Sequence, residues 1–436
     1  MNIPLGHRGF RNLFVGQAVS ALGDWMGTVA LIVLVLDLTN SSTAVGGVLV
    51  LQLLPSAVGG PVASRVVGRW RRRRTMMGAD LFRVAVAVVL PLVQALWWVY
   101  LWAFFLQLGG LVFLPARDAS IPDLVEGDED QLSLANGIIL GSSFGTIPLG
   151  AAAFGGVAGL QAMLFGHSGP IGSRSYLLVF LIDALTFLIS FAFVRSLHVL
   201  DERGEQPEQE QGSEERTKFL KAFRIPLVRM VVPAGATITL GIGALFSVGV
   251  KFVRQVLEAS DTQFGILIAL FGVGAAAGLG TLQALRHRDQ LIMVRTAVAL
   301  QGIVVAVMSL SPNIGIAYIG AGFFGASSAA SLVAGMNVLQ TRLEGGDRVQ
   351  AFTAFHVTIR AGLAVAALVA GVAVDLVNGV RWPFLGQLQP SRVVLLSAGA
   401  LVFLSAAWVH EPAAEGERGP RGSERPGGRS LEEPDR

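Results

Sequence analysis

The chain of 436 residues is 53% hydrophobic and 14% charged, with a formal net charge of +3, against about 25% charged residues in an ordinary soluble domain. That is too little polar surface to coat a water-soluble globule of this size. The absence of cysteine excludes disulfides, thiolate metal sites and cysteine nucleophiles, and basic residues that cap apolar runs, rather than interleaving with aromatics along one face, argue against a nucleic-acid partner.

Apolar segments of about 20 residues recur along the whole length, the extent that crosses a hydrocarbon layer about 30 Å thick. Taken in chain order, windows broken by charge, Gly/Pro or polar clusters predict twelve spans. The first, 11–36, follows His7, Arg8 and Arg11. It outlasts the roughly 7–15 apolar residues of a secretory signal, so it is read as a retained span. The others fall near 43–67, 75–96, 98–121, 131–158, 175–197, 226–250, 262–285, 290–310, 313–340, 350–377 and 391–409. Each is read as helix because a spanning segment must satisfy its own backbone hydrogen bonds, and no short alternating strands of a barrel are visible.

The basic residues are unevenly divided between the two sides. With the N-terminus inside, one side receives Arg8, Arg11, Arg69, Arg71 to Arg74, the basic residues from Arg195 to Arg229, Arg286, Arg288, Arg342, Arg348 and the tail arginines. The other receives Arg174, Lys251, Arg254, Arg381 and Arg392. The richer side is expected to be cytoplasmic, which gives the arginine block a topological role around the second and third spans. Trp97, Trp98, Tyr100 and Trp102 then fall at the opposite headgroup level.

Between the sixth and seventh spans, "LDERGEQPEQEQGSEERTK" is too polar to bury anything. It divides the chain into a first bundle (1–198), a linker (199–225), a second bundle (226–410) and a charged, Gly/Pro-rich tail (411–436) expected to be disordered. The halves look related, because "LVEGDEDQLSLANGI" and "LEGGDRVQAFTAFHV" each link a fourth span to a fifth. The expected fold is therefore all-α, with twelve transmembrane helices in two pseudo-symmetric six-helix bundles.

"FRNLFVGQAVSALGDWMGTVAL", "GPVASRVVGRWRRRRTMMGADLFR", "FLPARDASIPDLV", "LANGIILG", "FLIDALTFLIS" and "LQTRLEGGDRVQAF", in that order, resemble the major facilitator superfamily, specifically its bacterial branch of enterobactin exporters and macrolide efflux proteins. The resemblance spans about residues 10 to 410. It implies an exporter in a bacterial cytoplasmic membrane that alternates between inward-open and outward-open states, commonly driven by proton entry. Three positions depart from the wider pattern: Gly68 precedes Arg69 where the family carries an acid before Arg, Gln107 is the polar residue of the fourth span where many proton antiporters have Arg, and Ile147 precedes Pro148 where a Gly-Pro pair is usual.

Ionisable groups inside a span cost roughly 2.5–3.5 kcal/mol at its centre on insertion scales, so each needs a reason. Asp24 lies midway along the first span and Asp183 well inside the sixth. Either could take up and release a proton or be satisfied by neighbouring hydroxyls and amides, and Asp24 is the first choice for coupling. Asp80 and Arg83 are three apart on one helix face, as a local ion pair or a gating contact with another helix. Arg72 and Arg73, with Arg69, belong to the gating and topology set and could also meet anionic lipid.

His356 and Arg360 share a face of the eleventh span. His356 is a candidate proton relay or a packing residue. Arg360 must be offset by a cavity or a carboxylate, with Asp24 or Asp183 as possible partners across the bundle. Gln17, Gln52, Asn136, Asn337 and Gln340 are neutral groups that could line a substrate pathway or bond helices together. The pairs Gly23/Gly27, Gly155/Gly159 and Gly274/Gly278 predict close helix approach. "GSSFG" at 141 matches a serine-hydrolase pattern by letter but lacks its strand-turn-helix context, and the six histidines show no ligand spacing. The expectation is a non-enzymatic, cofactor-free, monomeric exporter whose partners are a small molecule, protons and membrane lipids. The alternatives are a lysolipid or lipid flippase, or a membrane sensor or scaffold.

Overall fold

A computed structural model describes residues 4–58, 71–125, 129–166, 176–202, 223–285, 287–343, 345–377 and 389–409. Within them run twelve long helices: α1 (Arg8–Thr39), α2 (Ser42–Val58), α3 (Arg72–Val89), α4 (Leu96–Leu124), α5 (Glu129–Phe165), α6 (Leu177–Arg195), α7 (Pro226–Gln255), α8 (Asp261–Ala284), α9 (Gln290–Ser309), α10 (Ile314–Arg342), α11 (Gly345–Val377) and α12 (Pro390–Ser405). Eleven are long and apolar enough to cross a membrane; α2 is apolar but shorter, and its expected continuation to 67 lies outside the described residues. So do the centre of the linker and the tail at 411–436.

Helix ends are set by local chemistry. A capping box of Ser260 and Gln263 starts α8, while the side chains of Asp289 and Asn313 accept from the first turns of α9 and α10. Asn40, left-handed at φ 51°, closes α1. Prolines at 55, 115, 122 and 148 sit inside helices, which membrane helices tolerate when neighbours re-satisfy the freed carbonyls.

The helices form two bundles with one repeated packing plan. In the first, α1 packs on α5 and α6, and α3 on α4 and α6. In the second, α7 packs on α11 and α12, and α9 on α10 and α12. Apolar interiors such as Met26, Val29 to Leu36, Phe154, Phe180 and Phe324 fill the bundles, while Leu92, Trp97, Met163, Ile319 and Leu376 lie exposed on the outside. In water such a surface would drive association; against acyl chains it is ordinary.

The bundles meet along α2–α11 and α5–α8. A Cβ on Gly46 would sit 2.6 Å from the Ala367 carbonyl, and one on Gly265 2.8 Å from that of Ala151, so backbone rests on backbone there. Further along the same two helices a Cβ on Gly145 or Gly280 would meet nothing within 4 Å. The α5–α8 contact itself runs through Pro148, Ala151 and Gly155 of α5 against Gly272, Gly265 and Thr262 of α8. Gly23 and Gly27 likewise press α1 onto Asp183 of α6, and Gly274 and Gly278 press α8 onto the α10 backbone at Gly322 and Ala326.

Candidate functional site

At the centre of the first bundle, α1, α3 and α6 bring three carboxylates around one guanidinium. Arg83 donates to Asp80 Oδ1 at 2.5 Å, one turn earlier on α3, and reaches Asp24 Oδ2 on α1 at 3.4 Å. Its plane lies over Phe187 of α6 at 4.2 Å and faces Phe113 of α4 at 4.9 Å, contacts that favour a desolvated cation. Gly109 on α4 leaves room for its aliphatic stem. Asp183, fully buried on α6, lies against Gly23 and Gly27, with Thr186 Oγ1 donating to its backbone carbonyl at 2.7 Å.

Exposure separates the three acids. Asp80 and Asp183 are 0% accessible, whereas Asp24 keeps 40% of its side chain accessible although it sits midway along a membrane-length helix. Asp24 is thus the member of the cluster that open space can reach.

A second constellation ties the bundles together at the end where α1, α7 and α11 finish. Asp375, near the end of α11, accepts from Ser41 Oγ at 2.5 Å and Thr43 N at 2.9 Å, and pairs with Lys251 Nζ of α7 at 3.2 Å. Its carboxylate therefore caps the N-terminus of α2 in the other half, where the helix dipole favours an anion. Lys251 also donates to the Asn40 carbonyl. Beside it Arg254 bridges Asp37 of α1 and Asp261 of α8, and its Nη2 donates to the Tyr176 hydroxyl at 3.1 Å. That hydroxyl lies 2.9 Å from Asp37 and 2.8 Å from Asp261, and has one proton to give. Burial first, then the two carboxylates, hold the Tyr176 phenol above the ordinary tyrosine range.

The sequence-derived candidates divide accordingly. Asp24, Asp80, Arg83 and Asp183 come together, and Asp24 pairs with Arg83 of its own bundle, not with Arg360 across the interface. Arg72 pairs with Asp123 at the end of α4 at 2.6 Å, next to half-buried Arg73. Gln17 is buried rather than lining open space. Gln52 is half-buried on α2. Asn337 lines a cavity of about 310 Å³ with Leu279, Gln283, Gln290 and Met293 inside the second bundle. Arg360 is exposed, three turns before Gly371 on the face that α11 turns to α2. Arg69 lies outside the described residues, as do the side chains of Asn136, Gln340 and His356. Among the described residues no group of three or more His, Asp or Glu could hold a metal ion.

Sequence reasoning missed the junction of Asp37, Tyr176, Arg254, Asp261, Lys251 and Asp375. It counted Lys251 and Arg254 only as loop charges. The available signal was a charged or phenolic residue at the same end of five different spans.

Two six-helix bundles of membrane-length helices, meeting along α2–α11 and α5–α8 and with a charge cluster at the centre of the first, define a multi-pass membrane protein. The model of the Major Facilitator Superfamily matches residues 13–253, and the chain belongs to that family. Macrolide efflux protein A of Streptococcus pyogenes is 32% identical over 133 residues, a match covering 29% of this chain and 32% of that protein. The MFS-type transporter YfiS of Bacillus subtilis is 25% identical, covering 63% of this chain and 64% of its own. These alignments thus span less than two thirds of either relative. Among solved structures, a bacterial homologue of the human lysosomal transporter Spinster, captured inward-facing and unoccupied, has a TM-score of 0.71 at 16% identity over 92% of this chain and 96% of its own. The nucleoside transporter NupG has a TM-score of 0.71 at 12% identity over 94% and 98%. At such identities the likeness is one of fold.

Proposed function

We propose that the chain is a secondary active transporter that exports a small hydrophobic or amphiphilic molecule by alternating access, with protons moving the opposite way. The observation that carries this reading is the placement of Asp24: a carboxylate midway along a membrane-length helix, 40% accessible, and bridged by Arg83 to the buried Asp80 in a bundle centre that also buries Asp183. One guanidinium offsets one carboxylate. The remaining negative charge is costly in a membrane interior unless protons neutralise it, so the cluster is a place where a proton can be held and then lost as the bundles move.

The geometry of the halves supports the alternation. With Arg8, Arg72 and Arg342 cytoplasmic by the positive-inside rule, the joined end carrying Asp37, Lys251 and Asp375 faces outward. In this reading both termini are cytoplasmic, the membrane is that of a bacterial cell, and the molecule works as a monomer. The partial match to a macrolide efflux protein supports export and an apolar cargo. Arg360, on the α11 face turned to the first bundle, is positioned to meet an anionic or hydrogen-bonding group of that cargo. The second bundle contributes apolar walls, as small-molecule sites require.

The test is reconstitution in liposomes with an imposed pH gradient and a panel of compounds, comparing the wild type with Asp24→Asn. The expected result is loss of gradient-driven uphill movement with exchange partly retained. Undiminished uphill transport by the variant would remove Asp24 from coupling.

A further inference from the structure

The interface of α1, α3 and α6 contains a run of buried polar atoms that the packing leaves short of protein partners. Asp183 Oδ2, Ser20 Oγ and Gln17 Oε1 have no hydrogen-bond partner in the protein, Asp80 Oδ2 and Ser190 Oγ have at most each other, and their residues are 0–9% exposed. Buried polar atoms in native proteins are nearly always satisfied by protein or ordered water, and an orphaned one costs about 1–3 kcal/mol. Five on one interface call for a common explanation.

They form a file. Asp183, Thr186 and Ser190 fall at i, i+3 and i+7 on α6, and Gln17, Ser20 and Asp24 at the same intervals on α1, so each set makes one helical stripe. The two helices run antiparallel, with Gly23 and Gly27 against Asp183 and Gly16 against Ser190 and Phe193, which sets Ser20 beside α6 while Asp24 turns to Arg83 of α3. Asp80 of α3 faces Ser190 and is bonded to Arg83. The file ends where Asn12 Nδ2 donates to Ser196 Oγ at 2.9 Å in an exposed pair. From Asp183 to Ser196 the helix rises about 20 Å, from the middle of the membrane to the end that carries the arginines.

We infer that this interface is a hydrated file, separate from the space between the bundles, through which the central carboxylates exchange protons with the arginine-bearing side. Carboxylates linked by hydroxyls and water make a proton relay of the kind that intramembrane acids mark. A private route would let the proton leave without crossing the cargo's path. The inference rests on the coupling role proposed above for the central acids, and it reassigns Gln17 from the cargo pathway to the proton pathway.

The chain has no cysteine, so single thiols report cleanly. Ser190→Cys and Ser20→Cys, in the otherwise intact protein in liposomes, are treated with a small, charged, water-borne thiosulfonate and compared with Val179→Cys, a fully buried apolar position on α6. A hydrated file labels both at least ten times faster than the control. Labelling as slow as the control would overturn the proposal. In the gradient assay, Ser190→Val should lower the ratio of uphill transport to exchange about tenfold, and Ser190→Thr, which keeps the hydroxyl, should restore it. Equal ratios in the two variants would equally overturn it. The two readings fail separately: uphill transport that survives Asp24→Asn removes the coupling assignment while thiol labelling still reports the file, and slow labelling removes the file while leaving Asp24 in place.

Discussion

The two bundles share a packing plan and differ in what they bury. Arg83 is the twelfth residue of α3, and at the twelfth residue of α9 stands Gln301. Both are buried, but Gln301 donates a single neutral hydrogen bond to the Ile238 carbonyl at 3.1 Å, and Val298 occupies the place that corresponds to Asp80. Among the described residues, the second bundle's one buried charged residue is Lys251 at the junction, while the first buries Asp80, Arg83 and Asp183 at its centre. A common scaffold has thus been loaded with charge on one side only. On the function proposed above, the acids of the first bundle take part in proton coupling, and the second bundle follows through the surfaces where the two touch.

That contrast breaks most directly by removing the paired positions in turn. Arg83→Met leaves Asp80 buried and unpaired, which costs about 3–5 kcal/mol when one partner of a buried ion pair is deleted. Gln301→Met loses one neutral hydrogen bond, about 0.5–1.5 kcal/mol. Unfolding in detergent should show the first variant far less stable, with much of the loss recovered when Asp80→Leu is added, because the orphaned charge is then gone. Equal losses at the two positions would mean that the bundles do not differ in this way.

The contact between the bundles gives the next largest effect. Leucine in place of Gly371, whose Cα lies against the Ser42 backbone, overpacks the joined end at a cost of about 1–3 kcal/mol. About 1.4 kcal/mol is a tenfold change in an equilibrium, so spin-label distances across the joined end should lengthen. The same replacement at Gly145, where a Cβ meets nothing within 4 Å, should leave them unmoved. Lys251→Met should act in the same direction more weakly. A charged hydrogen bond worth about 1.5–3 kcal/mol is lost, but Asp375 keeps Ser41 and the α2 amides.

How legible this was in the sequence depends on the range of the force involved. The helices were readable because an apolar run about 20 residues long has one fate in a bilayer, and α5 runs on from the expected 158 to Phe165 through the exposed apolar Leu160, Met163 and Leu164. Asp80 with Arg83 was readable because three residues on one helix fix a neighbour. Asp24 and Asp183 stand out in the sequence as charges in apolar runs; of the two contacts open to Arg83, a local bond and one to another helix, it makes both, to Asp80 and to Asp24, while the cross-bundle pairing offered for Arg360 does not form. The junction was the least legible part. Asp37, Tyr176, Lys251, Arg254, Asp261 and Asp375 come from four helices and one helix cap, and nothing local in sequence says that Tyr176 will stand between two acids.

Tyr176 supplies the smallest and sharpest test of the junction. Its hydroxyl gives one proton to one of two carboxylates and receives from Arg254, yet Arg254 bridges Asp37 and Asp261 without it. Tyr176→Phe therefore should cost no more than about 1 kcal/mol, well short of Arg254→Met, which leaves two acids facing each other across the bundles. The phenol is held above its ordinary range of about 10; a raised value in the joined state means a contribution fully present below the ordinary value and lost only as pH rises beyond it. Junction opening, followed by spin-label distance, should accordingly show the same small Tyr176→Phe increment at pH 6 as at pH 8. An increment that vanished between those values would mean that the tyrosine is ionising in the working range and that the junction itself, rather than the acids of the first bundle, responds to protons.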